Sequence, residues 1–570
     1  MTYLPEHRHL VEHFIREYFQ SGHSTAFTGL VIYDGVCGIG KTQGVFEQIK
    51  KLVSEKPSNR IMYVGQYLDE LHRVAGTIPD PAKPKSKPPL KDLRGKVKYT
   101  QDTIVKFMHP EKNKLLHLKR LIRGNKNIVM THKLFERLDL DCLELLKQKG
   151  YHLVIDEEPA VFELVADRYT ITFKQSKQKQ RLTSLELENL FTLKVLGLAK
   201  DKTTITWIGP ELTRYKDLRE DIDNNRVILY NNIDKGTTQK VLLWKQNPEI
   251  FSVFKSVHVL TYLFKNSFLN AYLDIHEIPY LVRNLTEEEA LDDTKLKPYH
   301  KLIHIDPLLL DNHKDIPKDL RSPHIFSSGW FDKFNERYHI KESNPLQTKL
   351  NTYYKKGLTF TGKRSEVNDR LWTTLKKSKT RLVTNGITNP DLFVPFNKRA
   401  TNLYNHTNHL AFIYNVYPNP LLLNYIKSTG IKAPVGDTYA LSILVQWIFR
   451  SSLREGKHID LLLPTQRMQN LLKDWKEELS KLYESCRHIK HSYNDPGFTE
   501  KEHAITPTSI SEFITDIQPG LKHYGDLTKL LARVPLRRKA PVKSKPSKNT
   551  ITTRRLEKAV GKNTRVMKRK

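Results

Sequence analysis

The sequence predicts an α/β protein built on a parallel, doubly wound sheet, and three observations predict it. First, the apolar run Leu30 to Tyr33 enters a glycine-rich turn, after which Val45, Phe46, Ile49 and Leu52 recur at helical spacing. Second, the strand-like runs Arg60 to Val64, Asn127 to Met130 and Tyr151 to Ile155 alternate with helical stretches. Third, the acids Asp156, Glu157 and Glu158 stand directly after the last of these strands. Ligands of such sheets bind at the carboxyl ends of the strands.

The turn after the first strand carries the most specific pattern. Gly35, Val36, Cys37, Gly38, Ile39, Gly40, Lys41 and Thr42 fit G-x-x-x-x-G-K-[ST], the phosphate-binding P-loop. Glycine permits positive φ, so backbone N–H groups can wrap a phosphate at the start of the next helix. Lys41 is then the mobile positive charge for the β/γ oxygens, and the Thr42 hydroxyl a Mg²⁺ ligand.

The remaining elements follow in order. Residues 1–27 read as an entry helix with Leu10, Val11, Phe14, Ile15 and Tyr18 on one stripe. After the Arg60 to Val64 strand comes a helix carrying Leu68, Leu71 and His72, then a Pro- and Lys-rich insertion over about 77–126. The strand Asn127 to Met130 ends in Thr131-His132, and Lys133 to Lys147 is helical. Thr203 to Gly209 and Arg226 to Tyr230 are strand candidates. A second strand–helix series begins at Val257 to Thr261, after a domain boundary between Tyr230 and Val257. Residues 284–380 are polar and irregular and read as an insertion. Order returns at Thr401 to Val416 and Tyr439 to Leu463, and Gln469 to Tyr483 reads as an amphipathic helix. The expected domains are 1–245 and 246–475, with an extension over 476–532 and a basic, disordered tail over 533–570.

Composition limits the partners. The 570 residues suit roughly two to four domains, and 38% apolar content supports real cores. Ninety-four Lys+Arg against 62 Asp+Glu leave a net charge of +32. Such an excess points to a polyanion, nucleic acid before an anionic membrane. The three scattered cysteines form no disulfide framework or zinc pattern and suit a reducing compartment. No run is long enough to span a bilayer, so a soluble, cytoplasmic protein without a membrane partner is expected.

Asp156 and Glu157 complete the chemistry. Adjacent acids at a buried strand end are costly unless used. Beside a P-loop, Asp156 would hold Mg²⁺ directly or through water, and Glu157 would orient and deprotonate an attacking water.

These segments, in this order, resemble the superfamily 2 helicases, and especially helicase-like proteins of bacteriophages. The P-loop matches motif I, and Asp156-Glu157-Glu158-Pro159 resembles the D-E-x-x box, although its last two residues depart from the family's. Tyr63-Val64-Gly65-Gln66 with Arg73 resembles motif Ia, and Met130-Thr131-His132 the next strand-end motif. Thr206 to Gly209 sits where motif III would be, Val259 to Phe264 resembles motif IV, and Arg399-Ala400-Thr401-Asn402 resembles motif V. Gln446 to Arg454 resembles motif VI, Q-x-x-G-R-x-x-R, with Phe449 for the glycine and the last arginine displaced by one. The resemblance covers about residues 28–470 and implies two RecA-like domains with an ATP cleft between them. It implies ATP and Mg²⁺ as cofactors, catalytic roles for Lys41, Asp156, Glu157 and Gln446, and an arginine finger at Arg450 or Arg454. It also implies that Thr131, His132, Thr261, Thr401 and Asn402 touch nucleic acid, with single-stranded or forked DNA favoured over RNA.

The expected function is therefore a nucleic-acid-dependent ATPase that translocates on and unwinds DNA. A packaging-type translocase and a non-catalytic, nucleotide-switched binding protein are the alternatives. The first lacks the clustered acids of a nuclease domain, and the second leaves Lys41 and Glu157 without work.

Overall fold

Seven parallel strands form the larger sheet of the protein, seen here in a computed structural model. Their order is Leu281–Arg283, Leu30–Asp34, Ser256–Thr261, His152–Asp156, Ile61–Gly65, Asn127–Thr131 and Phe107–Met108. The structure describes residues 29–37, positions 41, 42, 45, 49, 52–54, 56–66, 71 and 74, and residues 107–493 with short breaks at 173–178, 235, 284–296, 311–313, 315, 341, 384–387, 389, 398–402 and 433–434. The entry helix, residues 77–106, Gly38 to Gly40, Thr401 and Asn402, and everything past 493 lie outside the described residues. The chain divides into two compact units, 1–502 and 503–570, and the second lies wholly outside them.

Hydrophobic patterning explains the sheet. All five residues of Ile61–Gly65 are buried, as a strand covered on both faces requires. On one face Leu30, Ile32, Leu153, Ile155, Val257 and Val259 join one core. On the other, Val154 and Leu260 meet Val45 and Ile49 of the helix that follows the P-loop. Each such aliphatic side chain contributes about 1.5–3 kcal/mol on burial. The helix Leu140–Lys149 that feeds the acidic strand is capped at both ends. The Asp139 side chain accepts from Cys142 N, and Gly150 takes the left-handed conformation at φ 58° that ends the helix before Tyr151.

This sheet corrects the expected boundary. Ser256–Thr261 pairs with Leu30–Asp34 on one side and His152–Asp156 on the other, so the first half runs through Arg283, past the 245/246 division. An apolar run does not itself reveal which sheet it will join. Residues 162–245 are the real insertion. Val227–Asp234, Thr237–Lys245 and Phe162–Leu164 form an antiparallel sheet with its own core. Ile205–Trp207 pairs antiparallel with Leu196–Leu198, so the Thr206 to Gly209 run lies away from the parallel sheet. A charged joint ties this insertion to the first half. The Arg168 guanidinium lies 3.7 Å above the Trp244 ring and 3.1 Å from the buried Glu136 carboxylate, and Arg226, paired with Asp221 at 2.8 Å, donates to the Glu136 carbonyl at 2.7 Å.

A second sheet of four parallel strands follows, in the order Ile303–Asp306, Ile459–Leu462, His409–Phe412 and Arg370–Thr373. Two of its strands and the helices Ser328–Arg337 and Pro345–Lys355 fall within 284–380, which is therefore part of the second half and not an insertion into it. Four-residue strands between polar connections leave too little periodicity to read. The core of this half holds Trp372, Trp447, Tyr353 and Tyr354, and the polar atoms of the last three donate to the carbonyls of strands or their neighbours, as in Trp447 to Val394 at 3.0 Å. The closing helix is longer than expected, Gln466–Tyr493, and passes the 475/476 division. Its Trp475 and Leu479 sit in the second core.

Three histidines, His409 buried and His152 and His276 half-buried, have depressed pKa values. Burial and Lys255 pull His152 down to about 4. Burial and Lys245 pull His276 down to about 4, and burial with Arg370 and Lys356 pulls His409 down to about 3. A depressed folded-state pKa means the unfolded chain binds the extra protons first. Their contribution is complete above the ordinary histidine pKa of about 6.5. Stability measured by denaturant titration should therefore fall from about pH 6.5 down through about 4, and His409→Gln should reduce that fall.

Candidate active site

The carboxyl ends of the three central strands meet at Asp156. Its Oδ2 accepts from the Thr42 hydroxyl at 3.2 Å and from the Tyr63 hydroxyl at 2.6 Å. Its backbone carbonyl accepts from His132 Nε2 at 2.8 Å. The P-loop threonine, the acidic strand and two neighbouring strands are thus joined at one residue. Tyr63 is fully buried in Ile61–Gly65, which holds its hydroxyl in place. The pairing Tyr63 with Val154, and Val64 with Ile155, sets that hydroxyl beside the strand end.

The next two acids are held separately. Glu157 has φ 69°, a left-handed conformation that costs a non-glycine residue on the order of 1–3 kcal/mol. Its N–H donates to Leu260 O at 2.9 Å. Glu158 accepts from the buried Thr261 hydroxyl at 3.0 Å. The strained backbone thus falls at the residue that the sequence assigns to the attacking water.

On the P-loop, Gly35 N donates to Thr261 O at 3.2 Å. Lys41 Nζ donates to the Gly35 carbonyl and to Val36 O at 3.4 Å, folded back over its own turn. Asp34, just before the turn, accepts from Leu263 N at 2.9 Å and Phe264 N at 3.1 Å. Burial raises its pKa, against the opposing pull of Lys41 and those N–H groups. Asp34 thereby fixes a turn in which Leu263 has φ 62° and Tyr262 faces the P-loop, its ring 5.8 Å from Lys41 Nζ. The Tyr262 hydroxyl accepts from Trp475 Nε1 of the closing helix.

The second half reaches the same place. Val36 belongs to its core, and Cys37, Tyr262 and Leu263 pack against it. Burial raises the Cys37 thiol; Lys41 opposes the rise, Glu157 adds to it, and Arg454 and Arg450 also oppose it. Phe449 and Leu453, which flank these arginines, share the buried core with Val36. Arg450 is buried and donates to Pro395 O at 3.2 Å, while Arg454 is exposed on the turn that follows. Gln446 is half-buried one helical turn before Arg450, and its amide donates to Ser442 at 3.4 Å.

The structure thus brings together Lys41, Thr42, Asp156 and Glu157 of the residues expected from sequence, and sets Arg450 beside Phe449, which shares a core with Val36. His132 and Thr261, expected on a nucleic-acid surface, are buried and serve the acidic strand end. Thr131 is half-buried and caps the short helix His132–Phe135 by accepting from Leu134 N. Sequence reasoning missed Asp34, Tyr63 and Tyr262. A charged residue ending an apolar strand was the available signal for Asp34. Tyr63 stands in the run that resembles motif Ia, but nothing in the sequence pairs it with Asp156, which lies on a neighbouring strand.

The oxygen set at Asp156 fits Mg²⁺, a hard cation that takes one or two protein oxygens and keeps the rest for water and phosphate. Thr42 Oγ1 and Asp156 Oδ2 would be those oxygens. Among the described residues there is no cluster of three or more His, Cys, Asp and Glu able to hold a metal unaided.

Fold and site together define a mixed α/β protein with a large parallel sheet and a Rossmann-like second half. Residues 297–476 match the family described as the YonV C-terminal Rossmann-like domain, a match that begins beyond the last strand of the first sheet. The chain is similar to the SPbeta prophage-derived uncharacterized protein YonV of Bacillus subtilis (strain 168), with 28% identity over 461 residues. The match covers 78% of this chain and 98% of that protein. Among the described residues no helix is long and apolar enough to cross a membrane.

Tyr63→Phe removes one donor to Asp156 with little change of shape. It should lower stability by about 1–3 kcal/mol, measured by chemical denaturation, because the bond is made to a carboxylate in a partly buried setting.

Proposed function

We propose that the protein is a nucleic-acid-stimulated ATPase whose two parallel-sheet halves are RecA-like and close on Mg-ATP to drive movement along DNA and strand separation. The observation that carries this reading is the hydrogen bond between Thr42 and Asp156 at 3.2 Å. A P-loop threonine in contact with a strand-end aspartate is the pairing that phosphoryl transfer uses to place Mg²⁺.

Each residue then has a task. A triphosphate would draw Lys41 Nζ away from the Gly35 and Val36 carbonyls. Thr42 and Asp156 would hold Mg²⁺, which when bound neutralises charge on the β- and γ-phosphates. Glu157 would orient the attacking water and take its proton. Arg450 or Arg454, from the second half, would stabilise charge on the transferring group, so hydrolysis depends on how the halves meet. The net charge of +32 supports nucleic acid as the track, and such binding is salt-sensitive. The prophage origin of the similar protein supports a phage setting, and with it DNA replication or recombination in a bacterial cytoplasm.

Phosphate release from ATP tests the reading. The purified full chain is compared at fixed low salt with no nucleic acid, single-stranded DNA, duplex DNA and RNA. Stimulation by one polymer, strongest for single-stranded DNA and abolished in Lys41→Ala, is the expected result. Equal rates in wild type and Lys41→Ala would leave a binding protein in its place.

A further inference from the structure

Tyr299 opens the second half. It begins the short helix Tyr299–Leu302 ahead of the strand Ile303–Asp306. Its side chain is 1% exposed and shares a buried cluster with Val36 of the P-loop, against which Cys37 also packs. Its ring meets that of Phe449 edge-on at 4.8 Å, and Phe449 immediately precedes Arg450. The ring thus packs on the segment that bears the two arginines, in the same core that takes up Val36 of the P-loop turn.

The hydroxyl is the unexplained part. It is buried and has no hydrogen-bond partner among the described residues. Buried phenols elsewhere in the same core are satisfied, Tyr353 by Leu410 O at 2.9 Å and Tyr354 by Leu371 O at 3.0 Å. Phenylalanine would fill the same space without giving up hydrogen bonds to water. A hydroxyl kept at such a position calls for a partner from outside the chain. Burial first, with Cys37 adding and Arg454 opposing, pushes its pKa up to about 12. The group therefore remains a protonated donor at neutral pH.

We infer that Tyr299 is a further substrate-binding residue, its hydroxyl donating to a non-bridging phosphate oxygen of a nucleoside triphosphate held by the P-loop. This rests on the ATPase reading above. It gives the second half a neutral contact to the phosphates in addition to its arginines, so that nucleotide is sensed from both halves.

The test is Tyr299→Phe in the full chain, beside wild type and Lys41→Ala, with Mg-ATP as the probe. Thermal unfolding without nucleotide should give a Tm equal to or above that of wild type, since no protein partner is lost. The KM for ATP should rise, or kcat fall, by about tenfold, and the Tm gain from Mg-ATP should shrink. Wild-type kinetics and an undiminished Tm gain in Tyr299→Phe would overturn the assignment while leaving the ATPase reading in place, provided Lys41→Ala is inactive. A lowered Tm without nucleotide would also overturn it, because the hydroxyl would then serve the fold. Failure of wild type itself to bind or hydrolyse ATP would remove both readings together.

Discussion

The carboxylate of Asp156 is the point on which the site depends. One oxygen takes hydroxyl groups from two different strand-to-helix units, Thr42 after the P-loop and Tyr63 within the neighbouring strand. Its carbonyl takes a third bond from His132, which starts the short helix after the strand Asn127–Thr131. A parallel sheet fixes only the backbone register of these strands. The three side-chain bonds convert that register into a defined position for one acid. The cost of an acid at a buried strand end is offset by those donors.

A second constraint links this acid to the other half of the protein. Asp34 ends the P-loop strand and holds the Leu263 and Phe264 amides, which sets Tyr262 over the turn. Tyr262 then receives a hydrogen bond from Trp475, and Val36 is buried in the second core. The turn that would carry phosphate is thus part of the packing between the two sheets. A change in how the sheets meet must move Val36, Cys37 or Tyr262. That is the physical basis for coupling proposed hydrolysis to movement. The Arg168 and Arg226 joint also matters here, since Glu136 lies one turn beyond His132. The antiparallel insertion is anchored on the helical turn that supports Asp156.

Much of this was legible in the sequence, and the missing parts share a cause. Apolar runs and glycine punctuation gave the strands Leu30–Asp34, Ile61–Gly65, Asn127–Thr131 and His152–Asp156, because a strand buried on both faces writes its own pattern. Sheet membership was not legible. Ser256–Thr261 is separated from His152–Asp156 by the whole 162–245 insertion, yet lies beside it. The four-residue strands Ile303–Asp306 and Arg370–Thr373 are too short for any period to show. Within the site, residue types with one chemical task, Lys41, Thr42, Asp156 and Glu157, could be read from spacing. Residues whose role is a bond to a distant strand, Tyr63 and Thr261, could not, and their types alone suggested other work.

The most direct measurement is ATP turnover by Glu157→Gln beside wild type, with Mg-ATP affinity measured on the same samples. The substitution keeps size and hydrogen bonding but removes the base. If Glu157 takes the proton of the attacking water, turnover falls by about a hundredfold or more while affinity is retained. Turnover at the wild-type level would contradict the assignment of the acidic strand end as the hydrolytic centre.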